Sequence, residues 1–207
     1  MRTSPVREIS DLVSQMDAHS GRKILSSRES SLILLAISIC KHEEVEAFHG
    51  CVLEALENGS SLGDVKELIL QLSIYVGFPK ALQSLKRLKQ LDTSDLSPLQ
   101  GSLGPCSDLP TYAPSSFNFF ECADVQASLH EIDKDFAEMA LMNAVPLSGR
   151  PGLTPKERAL VILASDIYNR AFEGPFQIHT DMLLRSGGSI DDLRGMVVLI
   201  ETSSSAH

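Results

Sequence analysis

Apolar residues recur along the chain at three- and four-residue intervals, the spacing of helices that each bury one face. The first such stretch follows Pro5, where Val6, Ile9, Leu12, Val13 and Met16 share a face of a short helix that runs to His19 and breaks at Ser20-Gly21. Residues 26–41 contain SLILLAISI, apolar almost all round, so the helix predicted there is buried on most sides. Ser26 and Glu29, three places apart, have the form of a capping box at its start. A third helix is predicted over 43–58 and is stopped by Gly59. A fourth follows Ser60-Ser61, carries Val65, Leu68, Ile69, Leu72 and Val76 on one stripe, and ends at Gly77. Pro79 opens a fifth, which reaches Leu91.

The pattern then lapses. Residues 93–120 hold Pro98, Pro105, Pro110 and Pro114 with few charges, the composition of a linker. Periodicity returns over 121–144 as one long helix with Val125, Leu129, Ile132 and Phe136 on a face. Pro146, Gly149, Pro151 and Gly152 form a turn, and helices follow at 155–171, 175–186 and 190–202. The fold class expected is all-α.

A displacement of 128 places aligns the two halves without a gap. Leu25-Ser26-Ser27-Arg28-Glu29 falls on Leu153-Thr154-Pro155-Lys156-Glu157. Leu32, Leu35, Ala36 and Ile39 meet Leu160, Leu163, Ala164 and Ile167, and Gly59, Ser61 and Asp64 meet Gly187, Ser189 and Asp192. These matches fall on buried faces and caps, the positions that fix a fold. The expected organisation is an N-terminal helix (1–20), a first unit (21–92), a linker (93–120) and a second unit (121–207).

Composition narrows the function. With 43% hydrophobic residues in 207, the chain can bury a sizeable core, and its net charge of -9 argues against a nucleic-acid partner or an anionic membrane surface. No apolar run reaches membrane-spanning length, and the N-terminus lacks a signal-peptide core, so a cytoplasmic protein is expected. Cys40, Cys51, Cys106 and Cys122 have no paired spacing, and reduced thiols are expected.

The segment EALENGSSLGDVKELILQLSIYVGFPKAL (Glu54–Leu82) resembles the carboxymuconolactone decarboxylase family, which includes alkylhydroperoxidase D. In that family a helix ending AL-x-x-G is followed by a Ser/Thr-capped helix and then by Y-x-G-F-P-x-A. RPGLTPKERALVILASDI (Arg150–Ile167), with His179 and Gly187 further on, is similar to the same family's opening RPGL…R-x-L…A and its H-x7-G step. The resemblance implies an all-helical tandem of units in a homo-oligomer, a trimer or a dimer of tandem units.

It also implies two kinds of chemistry. The peroxidase branch uses Cys-x-x-Cys with a nearby His; this sequence has no such pair, so a thiol-dependent peroxidase is disfavoured. The decarboxylase branch sets a Glu one turn before a His, a spacing suited to proton transfer. Here His179 stands eight places before Gly187, but the place four before it is Pro175, and Glu173 lies beyond that proline. On this reading His179 is the general acid/base, Glu173 tunes it by folding back, and Arg158 holds a substrate anion through its fork. The matching place in the first unit is Cys51; His49 is two places earlier, about 200° round the helix, and shares a face instead with Glu46. Cys51, Glu46, His49 and Tyr75 are secondary candidates, each also readable as packing or as a solvated face.

No cofactor and no metal are expected, since no two His are four places apart. The first unit continues through Gly77-Phe78-Pro79 where the second reaches Ser205, so the His179 site is expected to need a wall from another subunit or from the 121–144 helix, or to lie open. Three functions are compatible: a cofactor-free decarboxylase or isomerase acting on a small carboxylated or lactone substrate, a non-catalytic binding or scaffold protein, and the peroxidase.

Overall fold

Two helices with long buried apolar runs pack against each other, and that pairing organises the molecule. The computed structural model describes residues 25–92, 94 and 117–204. The helix expected at 5–19 and most of the 93–120 linker lie outside the described residues. The first of the two apolar helices is α1, Ser27–Lys41, and its densest contact is with α7, Pro155–Asn169. Leu32, Ile33, Leu35 and Ala36 on one, and Leu160, Val161, Ile162 and Leu163 on the other, are almost wholly excluded from solvent.

Around this pair stand α2 (Val45–Glu57), α3 (Leu62–Val76), α4 (Phe78–Leu88), α5 (Ala123–Ile132), α6 (Lys134–Ser148), α8 (Pro175–Arg185) and α9 (Ile190–Ser204). A short 3-10 turn, Phe119–Glu121, precedes α5, and the described residues contain no strand. The chain is thus all-helical, as the periodicity predicts. α2 and α3 pack on α1, α8 packs on α7, and α3 also crosses over to α7 while α9 touches α1.

The long helix expected over 121–144 is two helices. Asp133 is extended (φ -164°, ψ 128°), and its carboxylate accepts the Phe136 N–H at 2.7 Å as the N-cap of α6. An apolar stripe continues through such a junction, so periodicity alone does not reveal it. At the other end α6 runs through Pro146 to Ser148, four residues further than the pattern suggested, with Pro146 in its last turn.

Helix bounds repeat along the chain. The four helices beginning at Ser27, Leu62, Pro155 and Ile190 keep the register of the sequence match: α1 and α7, and likewise α3 and α9, begin and end 128 places apart. Ser26 with Glu29, and Thr154 with Glu157, form capping boxes at the starts of α1 and α7. Both helices end in a left-handed residue, His42 (φ 61°) and Arg170 (φ 58°), and the turns before α3 and α9 place Gly59 (φ 91°) and Gly187 (φ 83°) where only glycine avoids steric cost.

The capping carboxylates have a second task. Arg28 Nε meets Glu157 at 2.7 Å and its Nη1 meets Asp64 at 3.0 Å. Lys156 Nζ meets Glu29 at 2.9 Å and Asp192 at 2.8 Å. Each cation therefore ties the N-terminal cap of the opposite helix to the cap of the third helix in its own half. These pairs are partly shielded from water, which places them above exposed ion pairs in strength and below fully buried ones.

Arg28→Met is expected to lower stability by about 2 kcal/mol, measured by urea unfolding, because Glu157 keeps its buried position without its cation. A change under about 0.5 kcal/mol would reduce the network to surface decoration. Burial opposes ionisation of Glu29, but the Ser26 N–H and Lys156 outweigh it and hold its carboxyl below the usual glutamate range. Its contribution is therefore present in full above that range and lost as pH falls through the depressed value, so the same unfolding series should weaken on acidification and do so less in Glu29→Gln.

Candidate functional site

The apolar run of α7 is interrupted by one acid. Asp166 is followed by Ile167 and preceded by Leu163, Ala164 and Ser165, and it is only 3% exposed. A carboxylate in that position must find a partner or lose its charge. Its partner is His179 on α8, whose Nδ1 lies 2.6 Å from Asp166 Oδ2 and which is itself buried. Gly174 (φ 62°) turns the chain into α8, and Pro175 starts the helix, which brings His179 one turn in, opposite Asp166.

A carboxylate accepts, so Nδ1 carries the proton and Nε2 is left as the acceptor. Nε2 faces the hydroxyl of Tyr75 at 3.4 Å, and the two rings meet edge-on with centroids 5.2 Å apart. Tyr75 is on α3, in the other half of the chain. Burial, and then the charge of Asp166, push its phenol well above the usual range, so it remains a neutral donor.

These groups lie on a cavity of about 630 Å³. Its lining includes Ile74 and Tyr75 of α3, Phe78 of α4, Phe136, Met139, Ala140 and Ala144 of α6, and Pro175, Ile178 and His179 of α8, with Phe120 and Leu129. The wall that the second unit was expected to need is supplied within the chain, by α6 and by the end of α3. A volume of this order suits a drug-sized ligand.

The sequence candidates divide accordingly. His179 and Tyr75 meet at the cavity. Glu173 does not: it is exposed in the turn before α8 and is not among the lining residues, and Asp166 takes the place beside the imidazole that was expected for it. The physical reason is Pro175, which starts α8 and leaves Glu173 in the preceding turn, whereas Asp166 is delivered by a neighbouring helix. Arg158 also differs from expectation. It is 2% exposed, and its fork reaches Gln71 Oε1 (2.8 Å) and the carbonyl oxygens of Arg150 (2.5 Å) and Pro151 (3.3 Å), away from the cavity. It pins the turn before α7 onto α3, where Arg150 pairs with the buried Glu67 at 2.6 Å and Gly152 (φ +100°) would bring an added Cβ within 3.0 Å of Glu67 Cγ.

His49 Nε2 is 2.9 Å from the Arg87 carbonyl, and Glu46 is exposed, so this pair ties α2 to α4 at most. Cys51 and Ser38 stand 128 places before His179 and Asp166, but Ser38 Oγ is buried without a hydrogen-bond partner, where Asp166 is bonded to His179. Burial pushes the Cys51 thiol up and that of Cys40 to about 12, the opposite of what a nucleophilic thiolate needs. Among the described residues no three His, Cys, Asp or Glu side chains gather as a metal site would require, and no described helix is long and apolar enough to cross a membrane.

Asp166 is the residue that sequence reasoning missed. Two signals pointed to it: an acid inside an otherwise apolar helix, and its place 128 residues after Ser38, whose helix is equally apolar.

In alkaline titration of the tyrosine absorbance, the difference between the native chain and Tyr75→Phe should be a phenol that ionises above the ordinary tyrosine range. Asp166→Asn should bring that step down; an ordinary value in the native chain would place Tyr75 in water, away from the dyad.

Residues 8–90 match the model of the Carboxymuconolactone decarboxylase family, a span of less than half of the chain. The match begins within the segment read from sequence as a separate N-terminal helix, and its described part comprises α1 to α4, including Tyr75. No curated protein matches the chain.

Proposed function

We propose that this chain is a tandem carboxymuconolactone decarboxylase-like protein that carries out cofactor-free proton transfer on a small carbonyl or lactone substrate. The observation that carries the reaction is the sequence Asp166–His179–Tyr75 at the wall of an apolar cavity, with spacings of 2.6 Å and 3.4 Å. The family match over 8–90, the common register of α1 and α7 and of α3 and α9, and the reciprocal ion pairs of Arg28 and Lys156 support the tandem reading.

The mechanism follows from which atoms hold protons. His179 Nε2, free to accept because Asp166 holds the Nδ1 proton, takes a proton from the carbon beside the substrate carbonyl. Tyr75 Oη donates a hydrogen bond to the carbonyl oxygen as it becomes the enolate oxygen, and Asp166 stabilises the imidazolium that forms. The imidazolium then returns the proton, to the same carbon in exchange or to another in isomerisation, and no electrons are gained or lost. For a substrate that loses carbon dioxide, His179 Nε2 first takes a proton from solvent; that imidazolium protonates the carbanion left behind, and the neutral imidazole is restored. The mostly apolar lining lowers the local dielectric, which strengthens both hydrogen bonds.

We infer a cytoplasmic homo-oligomer. Leu82, Ile132 and Met142 are each more than half exposed and offer apolar surface for a second copy. Sedimentation velocity should give a mass above that of one chain; a monomer at all concentrations would overturn this.

The reaction is tested without knowing the product. A panel of neutral cyclic ketones and unsaturated lactones in deuterium oxide, followed by NMR, should show enzyme-dependent deuterium uptake beside the carbonyl. His179→Gln should cut the rate by at least about a hundredfold, and Tyr75→Phe by about a hundredfold. Exchange that survives in His179→Gln removes the base from the site. Binding of the panel with no exchange favours the non-catalytic reading, in which the cavity holds its ligand without turning it over.

A further inference from the structure

We infer that the cavity is selective for a neutral, mostly apolar ligand carrying one carbonyl or hydroxyl end, and that it excludes carboxylates. The orientation of the polar end rests on the proton-transfer reading above; the preference for neutral over anionic ligands rests on the cavity itself.

Three observations carry it. The first is charge. Among the described residues that line the cavity there is no Lys or Arg, and the charged group present, Asp166, is negative. A protonated His179 would cancel that charge without leaving any surplus for a ligand. An entering carboxylate would shed its water with no cation to receive it, and the closest carboxylate is 2.6 Å from the only imidazole on the wall.

The second observation concerns the cations that could have been there. Arg158, which the sequence offered as the anion holder, turns away to Gln71 and to two backbone carbonyls. Lys80 Nζ donates to the Cys40 carbonyl at 2.8 Å and lies 5.9 Å from the centre of the Tyr168 ring. The raised phenol of Tyr75 is consistent with this: after burial, its cause is the charge of Asp166, the same field that a carboxylate would meet.

The third is the approach. Phe78, Phe136 and Met139 line the cavity and are 69%, 52% and 57% exposed, so its mouth is an apolar rim open to solvent. Apolar side chains kept in water at the lip of a cavity gain by covering, and a neutral hydrocarbon ligand covers them. Tyr75 Oη and His179 Nε2 are gathered at one place on the wall; Ser73 and Asn143 donate to backbone carbonyls of their own helices, and Asn169 is a further uncharged polar side chain of a mostly apolar lining. That arrangement fits a neutral molecule with a polar end and a mostly apolar body. Within the proposed chemistry it selects isomerisation of a neutral ketone or lactone over decarboxylation, whose substrate must enter as a carboxylate.

Three probes that share one ring system test this: naphthyl methyl ketone, the methyl ester of naphthoic acid, and naphthoate. Their affinities for the full chain at neutral pH are measured by calorimetric titration. The ketone and the ester should bind within a few-fold of each other, and naphthoate at least about tenfold more weakly than either. Met139→Lys, which sets a cation on the rim, should narrow that gap by raising naphthoate affinity. Naphthoate binding as tightly as the ketone overturns the inference, and so does a failure of all three probes to bind at millimolar concentration. His179→Gln separates the two proposals. If it retains the order of affinities while deuterium exchange was never present, the proton-transfer reading fails and the selectivity stands. If exchange depends on His179 but carboxylates bind best, the selectivity fails and the reaction stands.

Discussion

The contact between α1 and α7 is the constraint from which the rest of the structure follows. Each is buried along most of its length, so each needs neighbours on several sides, and each is the other's most extensive contact. The pairing is held in register at the helix starts, where Arg28 binds Glu157 and Lys156 binds Glu29. Those glutamates also cap their own helices, so one carboxylate fixes both the beginning of a helix and its place against the partner. Once α1 and α7 are set, α3 is carried across to α7 and α9 to α1, and Tyr75 reaches a histidine that lies 104 residues away.

Much of this was legible in the sequence. The capping residues Ser26 and Glu29, the helix-ending Gly59 and the match of Leu32–Ile39 with Leu160–Ile167 all read directly, because they depend on spacing within one helix. The division of 121–144 did not, because Asp133 interrupts the backbone without interrupting the apolar stripe. The interval to Gly187 singles out His179, but the carboxylate beside its ring belongs to Asp166 on an adjacent helix and not to Glu173 along the chain. Partners across helices are set by packing, which no local interval encodes. The placement of Arg158 has a related cause: its burial directs its donors to Gln71 and to the backbone carbonyls at hand.

The two halves keep their frame and differ in their polar residues. Where the second half has Asp166 and His179, the first has Ser38 and Cys51, a hydroxyl and a high-lying thiol. Ser203 stands 128 places after Tyr75, and its hydroxyl is turned back onto the carbonyl of Ile200 at 2.9 Å. Among the described residues the Asp166–His179–Tyr75 arrangement is therefore present once, although helix bounds around it recur 128 places apart. Frame and chemistry are separable here, as they are generally when function is a set of side chains grafted on packed helices.

The burial of α1 has a consequence for the order in which the protein can be made. Synthesis delivers α1 to α4 first, while the helix that covers SLILLAISI lies 128 residues downstream. Until α7 leaves the ribosome, the growing chain carries the buried apolar segment of α1 without its cover, the condition under which nascent chains associate wrongly or engage chaperones. The two halves therefore do not mature one after the other. The first must wait, partly assembled, for the second, and the distance between contacting segments makes that closure a slow step.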